Sequence, residues 1–221
     1  MPISETTTFS RKCEENSYAA DDSQISEQEL EGLRSDMRLW VPKLESLFSG
    51  KTVLDLGAGT GRHGVLLARS FEPAMVVSLD IVFRRLRAGL SAAGDLKSLH
   101  LVCGDGFVLP FRDAAFDCII ANSLLHHLPD LELATREIAR VLRPGGWYIG
   151  REPNFNNPAV RFMVFRWHSH TPNEYPLRAE EITSAFASAN YRAELVYFWR
   201  RARWLHHPIL AAAISVRAQR R

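Results

Sequence analysis

The hydrophobic residues of this chain form short continuous runs, separated by stretches in which they recur every three or four positions. Runs without alternation are typical of strands covered on both faces, as in a parallel sheet. The runs are 52–56, 75–79, 99–103, 116–121 and 147–150. The periodic stretches predict helices at 62–70, 82–93 and 131–142. Strand and helix alternate, an order that builds right-handed βαβ units and predicts the α/β class.

The segments outside this alternation are also patterned. Ser26 and Glu29 form a capping box, and hydrophobic residues follow at helical spacing from Leu30 to Leu47. Pro42 is expected to kink or split this first helix. The pattern after residue 151 predicts helices at 159–167 and 178–189 and two closing strands at 193–199 and 211–216.

We expect one domain. Residues 1–22 are polar and predict a flexible leader, which is equally consistent with a lid containing Tyr18 and with a disordered tail. Residues 23–221 are expected to form the domain, with a cofactor-binding half at 51–150 and a substrate-side half at 151–221.

Composition narrows the function classes. Of the 221 residues, 46% are hydrophobic and 24% are charged, which is typical of a soluble globular protein. The net charge of +2 does not favour nucleic-acid binding. Arginines gather at 200–203 and 217–221, which predicts either a solvated edge or contact with an anionic substrate or lipid.

Cellular location is inferred from the cysteines and the apolar runs. Cys103 and Cys118 lie in apolar runs, and we expect buried free thiols in a reducing compartment. The longest apolar stretch, 208–216, is too short to span a bilayer. These features predict a cytoplasmic protein, either monomer or homodimer.

A glycine-rich turn carries the strongest chemical signal. Residues 53–61 read VLDLGAGTG, a predicted buried strand that enters a turn and opens a helix. Glycine lets the backbone approach a ligand closely, and a helix N-terminus offers unpaired amides. Dehydrogenases use a similar turn for pyrophosphate, but with GxGxxG spacing. The spacing here is GxGxG, and the Asp55 carboxylate would repel a pyrophosphate while suiting a cationic amino-acid group.

From Val53 to Gly146 the chain resembles the class I S-adenosylmethionine-dependent methyltransferases, specifically the type 11 group that includes quinone-biosynthesis methyltransferases. Further matching motifs are Gly104-Asp105-Gly106, the segment 111–117 and Leu142-Arg143-Pro144-Gly145-Gly146. The resemblance implies S-adenosyl-L-methionine as cofactor. It also implies a Rossmann-like three-layer sandwich with a seven-stranded, mostly parallel sheet of order 3-2-1-4-5-7-6 and an antiparallel last strand.

The resemblance further implies roles for individual residues. Asp80 matches the acidic residue that binds both ribose hydroxyls, and Asp105 matches the aspartate that receives the adenine amino group between Ile81 and Phe107. The expected cofactor-binding residues are Asp55, Gly57, Ala58, Gly59, Gly61, Asp80, Ile81, Gly104, Asp105, Gly106, Phe107, Asn122 and Ser123. Either aspartate alone would more often cap a helix or a turn. Together they end neighbouring predicted strands, where open α/β sheets bind ligands.

Two histidines follow the fourth predicted strand. His127 precedes Leu-Pro-Asp, where the resembling family commonly has a histidine, and His126 is its neighbour. An imidazole can act as a general base, or it can orient the loop by hydrogen bonding. Methyl transfer chiefly requires alignment and exclusion of water, so the lack of an obvious nucleophile does not argue against an enzyme. The chain has no metal-binding motif, and we expect no metal.

The acceptor side is less specific. The hydrophobic residues Phe162, Met163, Phe165 and Trp167 have helical spacing, which favours core positions over an acceptor pocket. The cationic residues Arg161, Arg166 and His168 favour a solvated face over a pocket for an anionic acceptor. The expected partner is a small-molecule acceptor of aromatic, lipid-linked or sugar-derived type.

Three alternatives remain open at this point. One is a non-catalytic subunit that retains the cofactor pocket and works through a protein partner. A nicotinamide-dependent oxidoreductase is disfavoured by the glycine spacing. Nucleic-acid methylation is disfavoured because residues 122–125 read NSLL, which is not the Asp/Asn-Pro-Pro-Tyr motif of amino-directed base methyltransferases.

Overall fold

A computed structural model describes residues 25–86, 95–167, 175–199 and 206–221. The predicted leader with Tyr18, the second half of the helix expected at 82–93, His168 and residues 200–205 lie outside the described residues. None of the helices within the described ranges combines the length and apolar character that a membrane span requires.

The chain folds into helices on both faces of one sheet. The helices are α1 (Glu27–Trp40), α2 (Leu44–Phe48), α3 (Arg62–Ser70), α4 (Leu131–Val141), α5 (Pro158–Trp167) and α6 (Ala179–Ser188). The strands are β1 (Thr52–Leu56), β2 (Met75–Asp80), β3 (Leu99–Cys103), β4 (Phe116–Asn122), β5 (Leu142–Pro153), β6 (Tyr191–Phe198) and β7 (Ala213–Arg220). The strand order is β3-β2-β1-β4-β5-β7-β6. Strands β1 to β5 are parallel, and β7 is antiparallel to β5 and β6, as predicted.

Each face of the sheet is covered by a different pair of helices. Alternate residues of β1 point to opposite faces, so that Val53 packs with α1 and α3 while Leu54 packs with α4 and α6. Trp40 on the first face and Phe186 on the second are fully buried. Burial on both faces is the reason that the strands are continuously hydrophobic in sequence.

Local signals decide where the flanking helices begin and end. The Ser26–Glu29 capping box is formed at the start of α1. Pro42 lies in the break between α1 and α2, because proline lacks the backbone N–H that a continuous helix requires. Asp130 caps α4 by accepting a hydrogen bond from Leu133 N at 2.8 Å.

The closing strands differ from their predicted bounds by a few residues, and the starts of β5 and β7 have a local cause. Strand β5 begins at Leu142 rather than at 147, because Leu142 pairs with Phe116 before a register shift in the ladder. Strand β7 begins at Ala213 rather than at 211. The preceding carbonyls of Pro208, Leu210 and Ala211 accept hydrogen bonds from asparagine side chains and so belong to a turn.

Two expectations about burial also fail. Cys103 is exposed, because it ends β3 at the edge of the sheet, whereas Cys118 in the central strand β4 is buried as predicted. Phe162 and Met163 are 66% and 62% exposed instead of lying in the core. Helix α5 buries Val160 but leaves Arg161, Phe162 and Met163 on the surface.

The cap of α4 gives a test of the fold. Replacing Asp130 with Ala leaves the Leu133 amide without this partner, and we expect the free energy of unfolding to fall by about 1 kcal/mol. Asp130→Asn retains an acceptor oxygen and should stay close to wild type. Equal stability of the Ala and wild-type proteins in urea denaturation would show that the cap contributes nothing.

Candidate active site

The glycine turn lies at the carboxyl end of β1 and is fastened to the neighbouring strand. Gly57, Gly59 and Gly61 have φ values of 70°, 56° and 71°, a left-handed conformation that favours glycine. The backbone N–H groups of Gly57 and Ala58 both donate to the Leu79 carbonyl oxygen of β2, each at 2.9 Å. The predicted turn therefore forms, and its backbone conformation accounts for the three glycines.

Asp55 lies beneath this turn and is 2% exposed. Its Oδ2 accepts hydrogen bonds from Gly64 N and Ser78 Oγ, each at 3.1 Å. Burial raises the pKa of Asp55 from 3.8 to about 7, against the opposing effect of these two hydrogen bonds. The carboxyl thus joins β1, β2 and α3, and its contact with a cationic amino-acid group stays a prediction.

The close packing of α3 on β2 depends on Gly64, a residue that sequence analysis did not single out. A Cβ atom on Gly64 would lie 2.0 Å from Ser78 Oγ. No side chain fits at that distance, so glycine allows α3 to approach close enough for the Asp55 hydrogen bonds.

Asp80 ends β2 and faces the glycine turn. Its Oδ2 accepts from Gly59 N at 2.6 Å, and its Oδ1 accepts from Val82 N at 2.9 Å. Each carboxylate oxygen has two lone pairs, so Asp80 retains acceptor capacity for a further ligand. The predicted aspartate is thus held beside the predicted turn.

Asp105 is brought to the same edge through the backbone of Asp80. Gly104 N donates to the Asp80 carbonyl oxygen at 3.0 Å, immediately before Asp105. Asp105 Oδ1 accepts from Phe107 N at 2.9 Å, which closes a tight turn. Ile81 and Phe107 are partly buried. The structure therefore brings the two predicted aspartates to adjacent strand ends.

A polar group that sequence analysis missed lies at the ends of β4 and β5. Arg151 Nη1 donates to Asn122 Oδ1 at 3.3 Å and lies 3.5 Å from Asp36 Oδ2 of α1. Ser123 has a φ of 58°, and its N–H donates to the Arg151 carbonyl oxygen at 2.7 Å. Asp36 Oδ1 is buried without a hydrogen-bond partner in the part of the chain that the structure describes.

His63 of α3 lies on the same face of the sheet. Its ring meets Trp40 edge-on with the centroids 6.1 Å apart. Burial, together with the smaller effect of the Arg151 charge, lowers the pKa of His63 from 6.5 to about 4. His63 is therefore a neutral imidazole near pH 7.

Glu152 and His126 form a buried pair at the carboxyl ends of β4 and β5. Glu152 is 1% exposed and His126 is 4% exposed. Glu152 Oε2 lies 2.6 Å from His126 Nδ1, while Oε1 accepts from the backbone N–H groups of Leu124 and Leu125 at 3.1 and 2.9 Å. A carboxylate with three donors is well compensated for its burial.

The two predicted histidines have different surroundings. Their ring centroids are 4.2 Å apart, and His127 is only partly buried. The His126 carbonyl oxygen accepts a hydrogen bond from Tyr175 N at 2.7 Å. The centroid of the His126 ring lies 6.0 Å from that of Phe155. His126, which the sequence offered only as the neighbour of His127, thus has a buried carboxylate partner.

The missed residues left only a weak signal in the sequence. Arg151 is a charged residue at the end of an apolar run, and Asp36 lies within an amphipathic helix. Charges at such positions are rarely buried without partners, and this rule could have marked Asp36. Glu152 was not missed in this way, because the segment 152–158 follows the fifth predicted strand at the edge of the sheet expected to hold the cofactor.

Comparison with known proteins identifies the family of this chain. A family model described as a methyltransferase domain matches residues 54–150. The demethylmenaquinone methyltransferase of Corynebacterium urealyticum is 33% identical over 165 residues, covering 73% of this chain and 68% of that protein. The chain belongs to the class I S-adenosylmethionine-dependent methyltransferases. It falls in their quinone-biosynthesis-like group. The demethylmenaquinone methyltransferase of Mycobacterium tuberculosis is also similar, with 32% identity over 75% of this chain and 67% of that protein.

A solved structure supports the fold of this methyltransferase. An S-adenosylmethionine-dependent methyltransferase from Mesorhizobium loti superposes with a TM-score of 0.71 at 18% identity, covering 86% of this chain and all of that one. Family membership makes this chain an enzyme that uses S-adenosyl-L-methionine to methylate a small molecule. The nicotinamide-dependent alternative is thereby set aside.

Asp55 and His63 of this methyltransferase have opposite effects on how stability changes with pH. Folded Asp55 keeps a proton that the unfolded chain releases between pH 3.8 and about 7, so its burial lowers the free energy of unfolding as pH rises. His63 has the opposite effect. Below pH 6.5 the unfolded chain binds a proton that the folded imidazole, with its pKa of about 4, does not, so stability falls as pH falls.

Asp55→Asn should therefore expose the effect of His63. We expect the free energy of unfolding of this variant to rise, relative to wild type, by up to roughly 1.4 kcal/mol per pH unit between pH 4 and 6.5. Urea denaturation at about pH 4.5 and about pH 6.5 measures this difference. The exposed Asp95→Asn variant is the control, and the same pH dependence in both variants would contradict the assignment to Asp55.

Proposed function

We propose that the methyltransferase holds S-adenosyl-L-methionine across the carboxyl ends of β1 to β4. The turn of Gly57, Ala58, Gly59 and Gly61 would cradle its methionine portion, with Asp55 fixing the turn and Asn122 and Ser123 beside it. Asp80 has acceptor capacity for the ribose hydroxyls, which supports its place in the site.

The adenine is assigned to the turn after β3. Asp105 would accept from the adenine amino group, with Gly104 and Gly106 flanking it. Ile81 and Phe107 would lie on either side of the ring, and both are partly buried. When bound, the cofactor supplies an activated methyl group on its sulfonium.

We infer that the acceptor is an aromatic hydroxyl compound of the hydroquinone type. Similarity to enzymes named demethylmenaquinone methyltransferases supports this class. The observation that carries the proposal is the Glu152–His126 pair, an imidazole hydrogen-bonded to a buried carboxylate. The pair lies at the carboxyl ends of the strands, where we expect the acceptor to meet the cofactor.

The pair suggests a specific role for each residue. Glu152 accepts from His126 Nδ1–H, which leaves the lone pair on Nε2 available to take a proton. His126 would remove the phenolic proton, and the ring carbon beside that oxygen would take the methyl group as the bond from methyl to the cofactor sulfur breaks, leaving a neutral thioether. The hydrogen on that carbon would then leave to solvent as a proton while His126 returns its proton to the oxygen, which restores the aromatic ring. His127, whose ring is tilted by 38° against that of His126, would close the site against water.

The first experiment separates the cofactor class from the acceptor class. Calorimetric titration with S-adenosylmethionine and S-adenosylhomocysteine should show binding, with NADH as the control that does not bind. Transfer of a labelled methyl group to a prenylated naphthohydroquinone then tests the acceptor. Cofactor binding without transfer to this or any other hydroquinone would refute the acceptor class and favour a non-catalytic subunit.

Asp80→Ala tests the cofactor site. Loss of hydrogen bonds from a carboxylate to the ribose should weaken cofactor affinity by about 1.5–3 kcal/mol, or roughly tenfold to 150-fold. Calorimetry measures the change, and Asp95→Asn serves as the control variant. Unchanged affinity in a folded Asp80→Ala protein would remove Asp80 from the site.

Glu152→Gln and His126→Asn test the catalytic pair. Loss of the base should lower kcat by about 10² or more, and an amide at position 152 should lower it by roughly tenfold or more because it no longer favours the Nδ1–H form. We expect cofactor affinity to be kept and the acid limb of the pH–rate profile to change. The exposed Glu194→Gln is the matched control. A wild-type pH profile in Glu152→Gln would reduce Glu152 to a structural residue.

A further inference from the structure

Tyr148 of β5 is a fully buried tyrosine on the strand that carries Glu152. Its hydroxyl has no hydrogen-bond partner within the described residues. A buried polar group of this kind is usually hydrogen-bonded to a protein atom or to an ordered water. We propose that one buried water joins the Tyr148 hydroxyl to Glu152, and that Tyr148 is a positioning residue that favours the charged form of this carboxylate.

Tyr148, Gly150 and Glu152 lie on one face of β5, because successive residues of a strand alternate between its two faces. The residues that pair with them on β7 all belong to the core covered by α4 and α6, and are Ala218, Val216 and Ile214. The tyrosine and the carboxylate are therefore on the same side of the sheet.

The Tyr148 ring extends along the strand towards Glu152. A Cβ atom on Gly150 would lie 2.7 Å from the Tyr148 hydroxyl oxygen and 3.1 Å from its Cζ. The hydroxyl end of the ring therefore lies over Gly150, midway between Tyr148 and Glu152 in the strand. Phe186 of α6 packs against the ring, with the centroids 4.8 Å apart. Glycine at position 150 thus makes room for the hydroxyl.

Glu152 can accept one further hydrogen bond. Its Oε1 accepts from the backbone N–H groups of Leu124 and Leu125, and its Oε2 pairs with His126 Nδ1. Each carboxylate oxygen has two lone pairs, so Oε2 retains one acceptor site. A water that accepts from Tyr148 and donates to Oε2 would satisfy both buried groups.

The charge of Glu152 acts on Tyr148. Burial, followed by the charge of Glu152 and by Tyr191, holds the pKa of Tyr148 well above its usual value of 10. The phenol therefore remains a hydrogen-bond donor throughout the pH range in which an imidazole titrates. A donor directed at a carboxylate favours the charged form of that carboxylate.

Other titratable groups face this region from β6, from β7 and from the surroundings of His126. They are Tyr191, Tyr197, Arg220, His127 and Tyr175. Burial raises the pKa of both Tyr191 and Tyr197, so the two phenols are uncharged near pH 7. The Tyr191 hydroxyl is also buried without a partner among the described residues, but the charge that acts on it is that of Arg220. Tyr191 is thus a matched control for Tyr148.

The consequence for catalysis rests on the proposed function of the Glu152–His126 pair. The reactive form of the pair has a charged carboxylate and a neutral imidazole. A donor that favours the charged carboxylate keeps the pair in this form at lower pH. Loss of the donor should therefore move the acid limb of the pH–rate profile to higher pH.

Tyr148→Phe removes the hydroxyl and keeps the ring. We expect the acid limb of kcat/KM to move to higher pH by roughly half a pH unit to one pH unit, so that the rate on this limb falls about threefold to tenfold. Cofactor affinity and the plateau rate should stay close to wild type. Tyr191→Phe should leave the limb in place. In a Glu152→Gln background, which has no carboxylate charge, Tyr148→Phe should have no further effect.

A measurement without turnover separates this inference from the proposed function. The NMR signals of the His126 ring, assigned with the His126→Asn variant, report its protonation. Their pH midpoint should rise in Tyr148→Phe and stay unchanged in Tyr191→Phe. A raised midpoint without methylation of any hydroquinone would support the link from Tyr148 to Glu152 and refute the acceptor class. An unchanged midpoint in Tyr148→Phe, an equal rise in Tyr191→Phe, or a rise that persists in the Glu152→Gln background would overturn the role of Tyr148.

Discussion

The hydrogen bonds that tie the glycine turn to strand β2 are the constraint on which the rest of the site depends. Leu79 accepts from the first two amides of the turn, and Asp80 accepts from the Gly59 amide. Asp55 joins Ser78 to Gly64 directly below. These hydrogen bonds hold two parallel strands and one helix together at the glycine turn. The positions of the proposed cofactor-binding residues depend on them. Such support is what fixes a binding site to a rigid scaffold.

Most of the fold could be predicted because the sheet is buried on both faces. A strand such as β1 must then be hydrophobic throughout, and its predicted bounds of 52–56 are those observed, as are 62–70 for α3. The cofactor side was predictable for a related reason. Parallel strands all end at the same edge, so that Asp80 and Asp105 had to lie near the glycine turn once the strands were recognised.

The acceptor side could not be predicted in the same way. Glu152 meets His126 and Arg151 meets Asp36 across different elements, and no local spacing encodes such a contact. Hydropathy also failed at Phe162, because a helix with an exposed apolar face has the same pattern as one that faces the core. What distinguishes them is the tertiary environment, here the asparagine contacts that hold α5 against the turn before β7.

The place of β7 in the sheet has a consequence for how the chain acquires its structure. Strand β7 is inserted between β5 and β6, although it follows both in the sequence. During synthesis, β5 and β6 are therefore made before β7, the strand that pairs with both. Each has an unpaired edge for that interval, and unpaired edges are sites of aggregation. The sheet can therefore be completed only after β7 has been synthesised, because β7 is the strand that joins β6 to β5.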